Sequence, residues 1–288
     1  MLNILVTGAN GQLGSEIEAL SKNYSYNFFF TDKEELDITN QMNINNFIEV
    51  NSIDIIVNCA AYTAVDKAET EVELADKINH KAVEYLAEIA KARSIKLIHI
   101  STDYVFDGTN FRPYVESDIT NPNSIYGETK LRGEEALVKI NPLNSLIIRT
   151  SWVYSSFGTN FVKTMLRLGK ERNSLGVIFD QVGTPTYARD LAKVILDILP
   201  QVKSTKVEIY NYSNEGVLSW YDFSKEIMRM GSIDCVISPI ETKDYPTPAS
   251  RPHYSLLNKA KIKEAFKIEI PFWKDSLAEC LKVMQEKR

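Results

Sequence analysis

The chain has 288 residues, 44% of them hydrophobic and 25% charged. That composition suits an ordinary globular protein with a full-sized core and excludes a disordered or fibrous one. Its 33 Lys and Arg against 38 Asp and Glu give a net charge of -5, without the basic excess that phosphate backbones demand, so nucleic acid is not an expected partner.

The N-terminus lacks the basic flank, long apolar stretch and cleavage site of a secretory signal, and no run is long enough to span a bilayer. Cys59, Cys235 and Cys280 are scattered, as are His80, His99 and His253. Neither a disulfide framework nor a metal site is expected, and a reduced, cytoplasmic setting is.

The first half alternates apolar runs with helical patterns, which predicts βα units around a parallel sheet. In chain order, LNILVT is a strand, Gln12 to Lys22 a helix, NFFFT a strand, Asn43 to Val50 a helix and DIIVNCA a strand. A helix from Leu74 to Ala92 follows, because Leu74, Ile78, Val83, Leu86 and Ile89 recur near helical intervals and form one apolar face. KLIHIS and NSLIIRT are the next strands; runs this continuous in apolar residues are covered by helices on both sides. Beyond Arg149 the pattern loosens. Gly and Pro punctuate SSFGTN, DQVGTPT and DYPTPASRP, between helices at Phe161 to Lys170, Arg189 to Leu199 and Ser219 to Met230 and a strand at VEIYNY. The expected organisation is a main domain over 1–150 and a smaller mixed α/β lobe over 151–288, with some segments of the lobe returning to the main sheet.

TGANGQLG places Gly8, Gly11 and Gly14 between the first strand and the first helix. Glycine there permits a tight turn, lets backbone N–H groups approach a pyrophosphate and lets helix and strand pack closely. In isolation an ordinary strand-to-helix turn reads the same way. The position after the first strand of a parallel sheet, with Asp32 ending the next strand where it can accept hydrogen bonds from an adenosine ribose, points to a dinucleotide. The fold class is therefore α/β, a doubly wound, Rossmann-like parallel sheet, with residues 1–150 as its dinucleotide-binding domain. Asp32 leans toward NADH and Lys33 beside it suits the 2'-phosphate of NADPH, so both cofactors stand.

KLIHIS delivers Ser101 and Thr102 to the carboxyl edge of the sheet, where ligands of such folds bind. Downstream, YGETK sets Tyr126 and Lys130 four apart at a helix start, on one face. An ammonium beside the phenol lowers its pKa and makes it a general acid or base, and Thr102 can bond the same substrate oxygen. Tyr221 and Lys225 in YDFSK repeat the spacing without a glycine loop or a Ser-Thr strand end, and are read as structural.

Six motifs in order, TGANGQLG, NCAAYTAVDKAE, STDYVFDG, YGETKLRGE, RTSWVY and YPTPASRP, cover essentially the whole chain. With them it resembles the extended short-chain dehydrogenases, most closely those that reduce a keto sugar carried on a nucleotide. The resemblance implies Thr102, Tyr126 and Lys130 as the catalytic trio. It implies a nicotinamide cofactor site of Gly11, Gln12, Leu13, Asp32, Asp37, Ile38, Ala61, Tyr62 and Thr63, joined by Gly8, Gly14, Ala60, Tyr126 and Lys130. Thr102, Asp103 and Trp152 would face the nucleotide sugar. The implied reaction is reduction of the C4 ketone of dTDP-4-dehydro-L-rhamnose to dTDP-L-rhamnose with NADPH or NADH; Mg2+ and a homodimer are allowed by resemblance only.

The implied roles fit the residue chemistry. Asp37 and Ile38 can flank an adenine, Ala60 and Ala61 leave room for a cofactor, and Trp152 offers a flat face to a sugar ring. Arg251, with Lys163 or Arg167, is the candidate clamp for the diphosphate. Asn58, Cys59, Phe106 and Phe111 are read as packing or loop residues. Dehydratases of the same group follow the strand-end threonine with an Asp-Glu pair; here Tyr104 follows Asp103, so plain reduction is expected. An epimerase or a different nucleotide-sugar reductase, and a non-catalytic cofactor-binding subunit, are the alternatives.

Overall fold

Residues 1–286 are described by a computed structural model. Five strands of the first half, β1 (Asn3–Thr7), β2 (Asn27–Thr31), β3 (Ile55–Asn58), β4 (Lys96–Thr102) and β5 (Leu146–Thr150), pair in parallel with the later strand Glu208–Tyr212. The six lie in the order Glu208–Tyr212, β5, β4, β3, β1, β2. The chain therefore winds outward from β1 to β2, then returns to build from β3 on the other side. The reversal between β1 and β3 opens a crevice at the carboxyl ends of the strands.

Side-chain alternation along the strands feeds two cores. Ile4, Val6, Ile55, Val57, Ile98 and Ile148 point to one face, where helix α1 (Gln12–Ser21) and the helices Ala188–Ile198 and Ala260–Phe266 cover them. Leu5, Ile56, Leu97 and Ile147 point to the other. There they meet α2 (Gln41–Val50) and, beyond the short helices α3 (Val65–Ala68) and α4 (Val72–Asp76), α5 (Ala82–Arg93) and α6 (Ile125–Ile140). The helix expected from Leu74 to Ala92 is thus longer than its pattern, and it is interrupted. Between α4 and α5 the residues Lys77–Lys81 form a π-helical turn. Asn79, on that turn, brackets the Tyr62 backbone, accepting from its N–H at 2.9 Å and donating to its carbonyl at 3.1 Å.

A third core lies apart from the main sheet. The amphipathic helices Phe161–Glu171, Trp220–Met230 and Trp273–Glu286 close around the parallel strand pair Ser174–Ile178 and Val236–Ile240. Phe223, Ile227, Leu277 and Cys280 fill its centre. No helix of the described residues is long and apolar enough to cross a membrane.

One ion pair fastens α6 to the sheet. Arg149 on β5 donates to both oxygens of Glu134, Nε to Oε1 at 3.0 Å and Nη2 to Oε2 at 2.7 Å, with both side chains at most 3% exposed. The guanidinium also donates to the Glu116 carbonyl and lies over the Phe106 ring. Removing one partner strands a buried charge, so Glu134→Ala should lower stability by about 3–5 kcal/mol. Urea unfolding at neutral pH reads this as a lower midpoint; an unchanged midpoint would refute the pair's structural weight.

Candidate active site

A cleft of about 890 Å³ runs along the carboxyl ends of β1, β3, β4 and β5. At its cofactor end the chain leaves β1 through Gly8, whose φ of +65° and backbone contact with Ala60, 2.7 Å from where a Cβ would sit, admit no side chain. Helix α1 then begins at Gly11, and no side chain caps its first turn. Uncapped N–H groups at a helix start favour an anion. Asp32 ends the neighbouring strand and accepts from the backbone N–H of Asn10 at 3.1 Å and of Lys33 at 2.7 Å. Asp37 is held below the usual carboxylate range mainly by the Thr39 hydroxyl, helped by Lys77 and Lys33.

The catalytic end is built by β4 and α6. Ser124 caps α6, accepting from the Gly127 N–H at 3.2 Å, so Tyr126 falls in the first turn. A Cβ on Gly127 would lie 2.3 Å from the Tyr104 carbonyl; its absence lets the helix start against the chain leaving β4. The Tyr126 ring packs edge-on against Tyr104, centroids 5.5 Å apart. The Thr102 hydroxyl donates to Asp103 Oδ1 at 3.0 Å and accepts from the Tyr104 N–H at 3.2 Å.

The electrostatics depart from the sequence expectation. Burial pushes the Tyr126 phenol up to about 12, with the Thr102 hydroxyl pulling it down and the Asp103 charge raising it. The Lys130 nitrogen is turned to β4, donating to the Ile100 carbonyl at 2.6 Å and lying 3.3 Å from His99 Nε2. Lys130 is only 1% exposed, and that burial brings it down to about 8. Asp103 moves the other way: burial raises it to about 7, against the Ser255 and Thr102 hydroxyls.

Gly8, Gly11, Gln12, Leu13, Gly14, Asp32, Asp37, Ile38, Ala60, Ala61, Thr63, Thr102, Asp103, Tyr126, Lys130 and Trp152 all line the cleft. Four of the proposed residues do not. Tyr62 turns its phenol away to Glu71, 2.7 Å distant, while its neighbours form the wall. Arg251 is bound to Asp66 of α3 through two nitrogens, at 3.0 and 2.8 Å, an attachment across 185 positions that ties down the C-terminal segment. Lys163 donates to the Gly158 carbonyl and Arg167 pairs with Glu171 on its own helix. Trp152 stands at a left-handed φ of +48° and stacks on Trp220 with ring centroids 3.7 Å apart. Phe106 stacks on Tyr114 and Phe111 is exposed, whereas Cys59 reaches the cleft. Tyr221 and Lys225 lie in the third core's helix, outside it.

Sequence reasoning did not find Leu74, Lys77 and Ile78, which line the cleft from the interrupted helix, or Gly158 and Asn160, which come from the start of the C-terminal half. Asn160 is joined to Gln12 at 3.0 Å across 148 positions, a contact with no local signature. Among the described residues no group of three or more His, Cys, Asp or Glu is gathered to hold a metal ion.

A family model described as the RmlD substrate binding domain matches residues 2–286. A dTDP-4-dehydrorhamnose reductase of Aggregatibacter actinomycetemcomitans is 42% identical over 287 residues, covering 96% of this chain and 97% of the relative. The chain belongs to the dTDP-4-dehydrorhamnose reductase family. The fold agrees at the same level. A family member from Clostridium acetobutylicum superposes with a TM-score of 0.94 at 42% identity, covering 99% of this chain and 100% of that one. Another, from Bacillus anthracis in complex with NADP, gives 0.93 at 36% identity over 98% and 100%.

The buried carboxyl of Asp103 carries a pH signature in this family member. Its folded pKa lies above the unfolded value, so the folded state binds the extra proton and stability from this group falls as pH rises from about 4 to about 7. Asp103→Asn should remove that slope, leaving the variant better placed relative to wild type at pH 8 than at pH 5. Urea midpoints at the two pH values check it; parallel changes in both proteins would count against a buried Asp103.

Proposed function

We propose that the chain reduces the C4 ketone of dTDP-4-dehydro-L-rhamnose to dTDP-L-rhamnose with NADPH or NADH. The observation that carries this reading is the convergence of Thr102, Tyr126 and Lys130 on the end of a cleft whose other end is the glycine turn and Asp32. Their family membership supplies the substrate.

The cleft fits a nicotinamide dinucleotide. The N-terminus of α1 suits a pyrophosphate, Asp32 a ribose hydroxyl, and Ala60 and Ala61 leave the third strand end open. Lys33 and Lys77 both line the cleft near Asp37 and provide cations for a 2'-phosphate, which favours acceptance of NADPH alongside NADH. When bound, the reduced nicotinamide supplies a hydride to the carbonyl carbon.

The protein's own task is to hold the ketone and deliver a proton. Thr102, held by Asp103 and the Tyr104 N–H in the free protein, orients the carbonyl oxygen by turning its one O–H from Asp103 to the ketone. Tyr126 is fully protonated at neutral pH because burial keeps its phenol high, which suits a general acid. The donor would release its proton as negative charge grows on the carbonyl oxygen. Lys130, of whose three hydrogens one is spent on the Ile100 carbonyl, has a donor for the cofactor ribose. Trp152, braced from behind by Trp220, offers an aromatic face to the sugar. Tyr104 occupies the place of the dehydratase glutamate with a buried phenol that burial raises further, so no second carboxylate is at hand to eliminate water.

Tyr126→Phe should cut kcat by about 10²–10⁴-fold while leaving nicotinamide affinity nearly unchanged. The measurement is loss of nicotinamide absorbance on a panel of dTDP-keto sugars, with fluorescence titration of NADPH as the binding control. Full turnover by the variant would remove the phenol from the mechanism; turnover of a different sugar only would redirect the substrate.

A further inference from the structure

Beneath the cleft lies a row of buried polar groups that the reduction as described does not use. Thr7, Asn58 and His99 are register partners across β1, β3 and β4. The alternation that sends Leu5, Ile56 and Leu97 toward α6 sends these three the same way. None is more than 1% exposed. The Thr7 hydroxyl donates to Asn58 Oδ1 at 2.7 Å, Asn58 Nδ2 lies 3.0 Å from His99 Nδ1, and His99 Nε2 lies 3.3 Å from Lys130 Nζ.

The row has a direction. With its oxygen taken by Thr7, Asn58 turns an N–H toward His99, so Nδ1 accepts. Burial, with the Lys130 charge beside it, keeps the ring neutral. A neutral imidazole accepting at Nδ1 carries its proton on Nε2, facing the lysine nitrogen. That contact is a hydrogen bond only when Lys130 offers a lone pair, as an amine.

We propose that His99 is a positioning residue for the reduction: oriented by Asn58 and Thr7, it presents Nε2–H to the amine that Lys130 becomes on giving up a proton. This rests on the reductase reading. The Tyr126 O–H bond breaks as the O–H of the product alcohol forms; a Lys130 N–H bond then breaks as the phenol O–H is restored. Lys130 is left as an amine and regains its proton from water in the next cycle. The row satisfies the amine at that stage and holds its nitrogen against β4. The other titratable groups acting on the nitrogen are Cys59 after β3 and, on α6, Glu134, the last tied to Arg149. Cys59 and Glu134 favour the ammonium, so the donor from His99 opposes them.

The first test reads the ring in the free protein, without turnover. Nitrogen-15 NMR at about pH 9, above the Lys130 transition, should give His99 a protonated Nε2 and a bare Nδ1, assigned by the signals lost in His99→Leu. The opposite tautomer overturns the proposal. The second is the pH profile of kcat. Losing the donor disfavours the amine, so His99→Leu should move the upper limb up by about one pH unit and lower kcat, with KM for the keto sugar unchanged. His99→Gln, whose amide N–H replaces Nε2–H, should return the limb toward wild type. Thr7→Val, which leaves Asn58 free to turn, should shift it in the same direction by less, and serves if His99→Leu does not fold. A limb unmoved in a folded variant overturns the proposal. Absence of turnover in the wild type would sink the reductase reading, and the tautomer would still decide the direction of the row.

Discussion

Burying the Lys130 nitrogen is the constraint around which the catalytic end is arranged. An amine at 1% exposure costs several kcal/mol unless its donors are met. The fold meets one of them with the Ile100 carbonyl of β4 and sets His99 Nε2, from the same strand, 3.3 Å from the nitrogen. That requires α6 to lie close over the carboxyl end of β4, and the Gly127 contact, the Ser124 cap and the Arg149–Glu134 pair each fix one part of that placement. The same closeness raises the Tyr126 phenol and Asp103. The burial that makes these groups useful donors is therefore inseparable from the packing that positions them.

The sheet divides along its length in a way that explains how this burial is tolerated. Its middle layers are aliphatic on both faces. Its buried polar residues gather toward the crevice, among them Thr7, Thr31, Asn58, His99, Ser101, Thr102, Arg149, Thr150 and Asn211, and of these only Ser101 Oγ and Asn211 Oδ1 lack a hydrogen-bond partner. Gathering polar atoms at one edge spares most of the main core uncompensated desolvation, the Tyr212 hydroxyl being an exception.

Much of the scaffold was legible because its signals are local. Period-two burial, apolar helix stripes and the glycine turn located β1 to β5, α1, α2 and the helix Ala188–Ile198 within a few residues, whereas α6 was read only at its start and the helix Ala260–Phe266 was not read at all. That Thr102, Tyr126 and Lys130 would meet on one cleft was legible from strand-end topology and helical spacing. Tyr62 was not, because Asn79, on a distant turn, grips its backbone and so sets where its side chain goes. Arg251 was misplaced because its carboxylate partner is remote in sequence. The phenol's pKa was misjudged in sign because desolvation depends on everything packed around a group, whereas spacing shows only one neighbour.

The π-helical turn at Lys77–Lys81 has an evolutionary consequence. It holds one residue more than an α-helical turn needs, and Asn79 on it grips both the Tyr62 backbone and the Thr129 hydroxyl. Loss of a single codon there would restore regular α-helical phase and swing α4 by about 100°, carrying Leu74 off the cleft wall. The length of this stretch is therefore not free to change, and homologous chains that keep the asparagine should show no gaps across it.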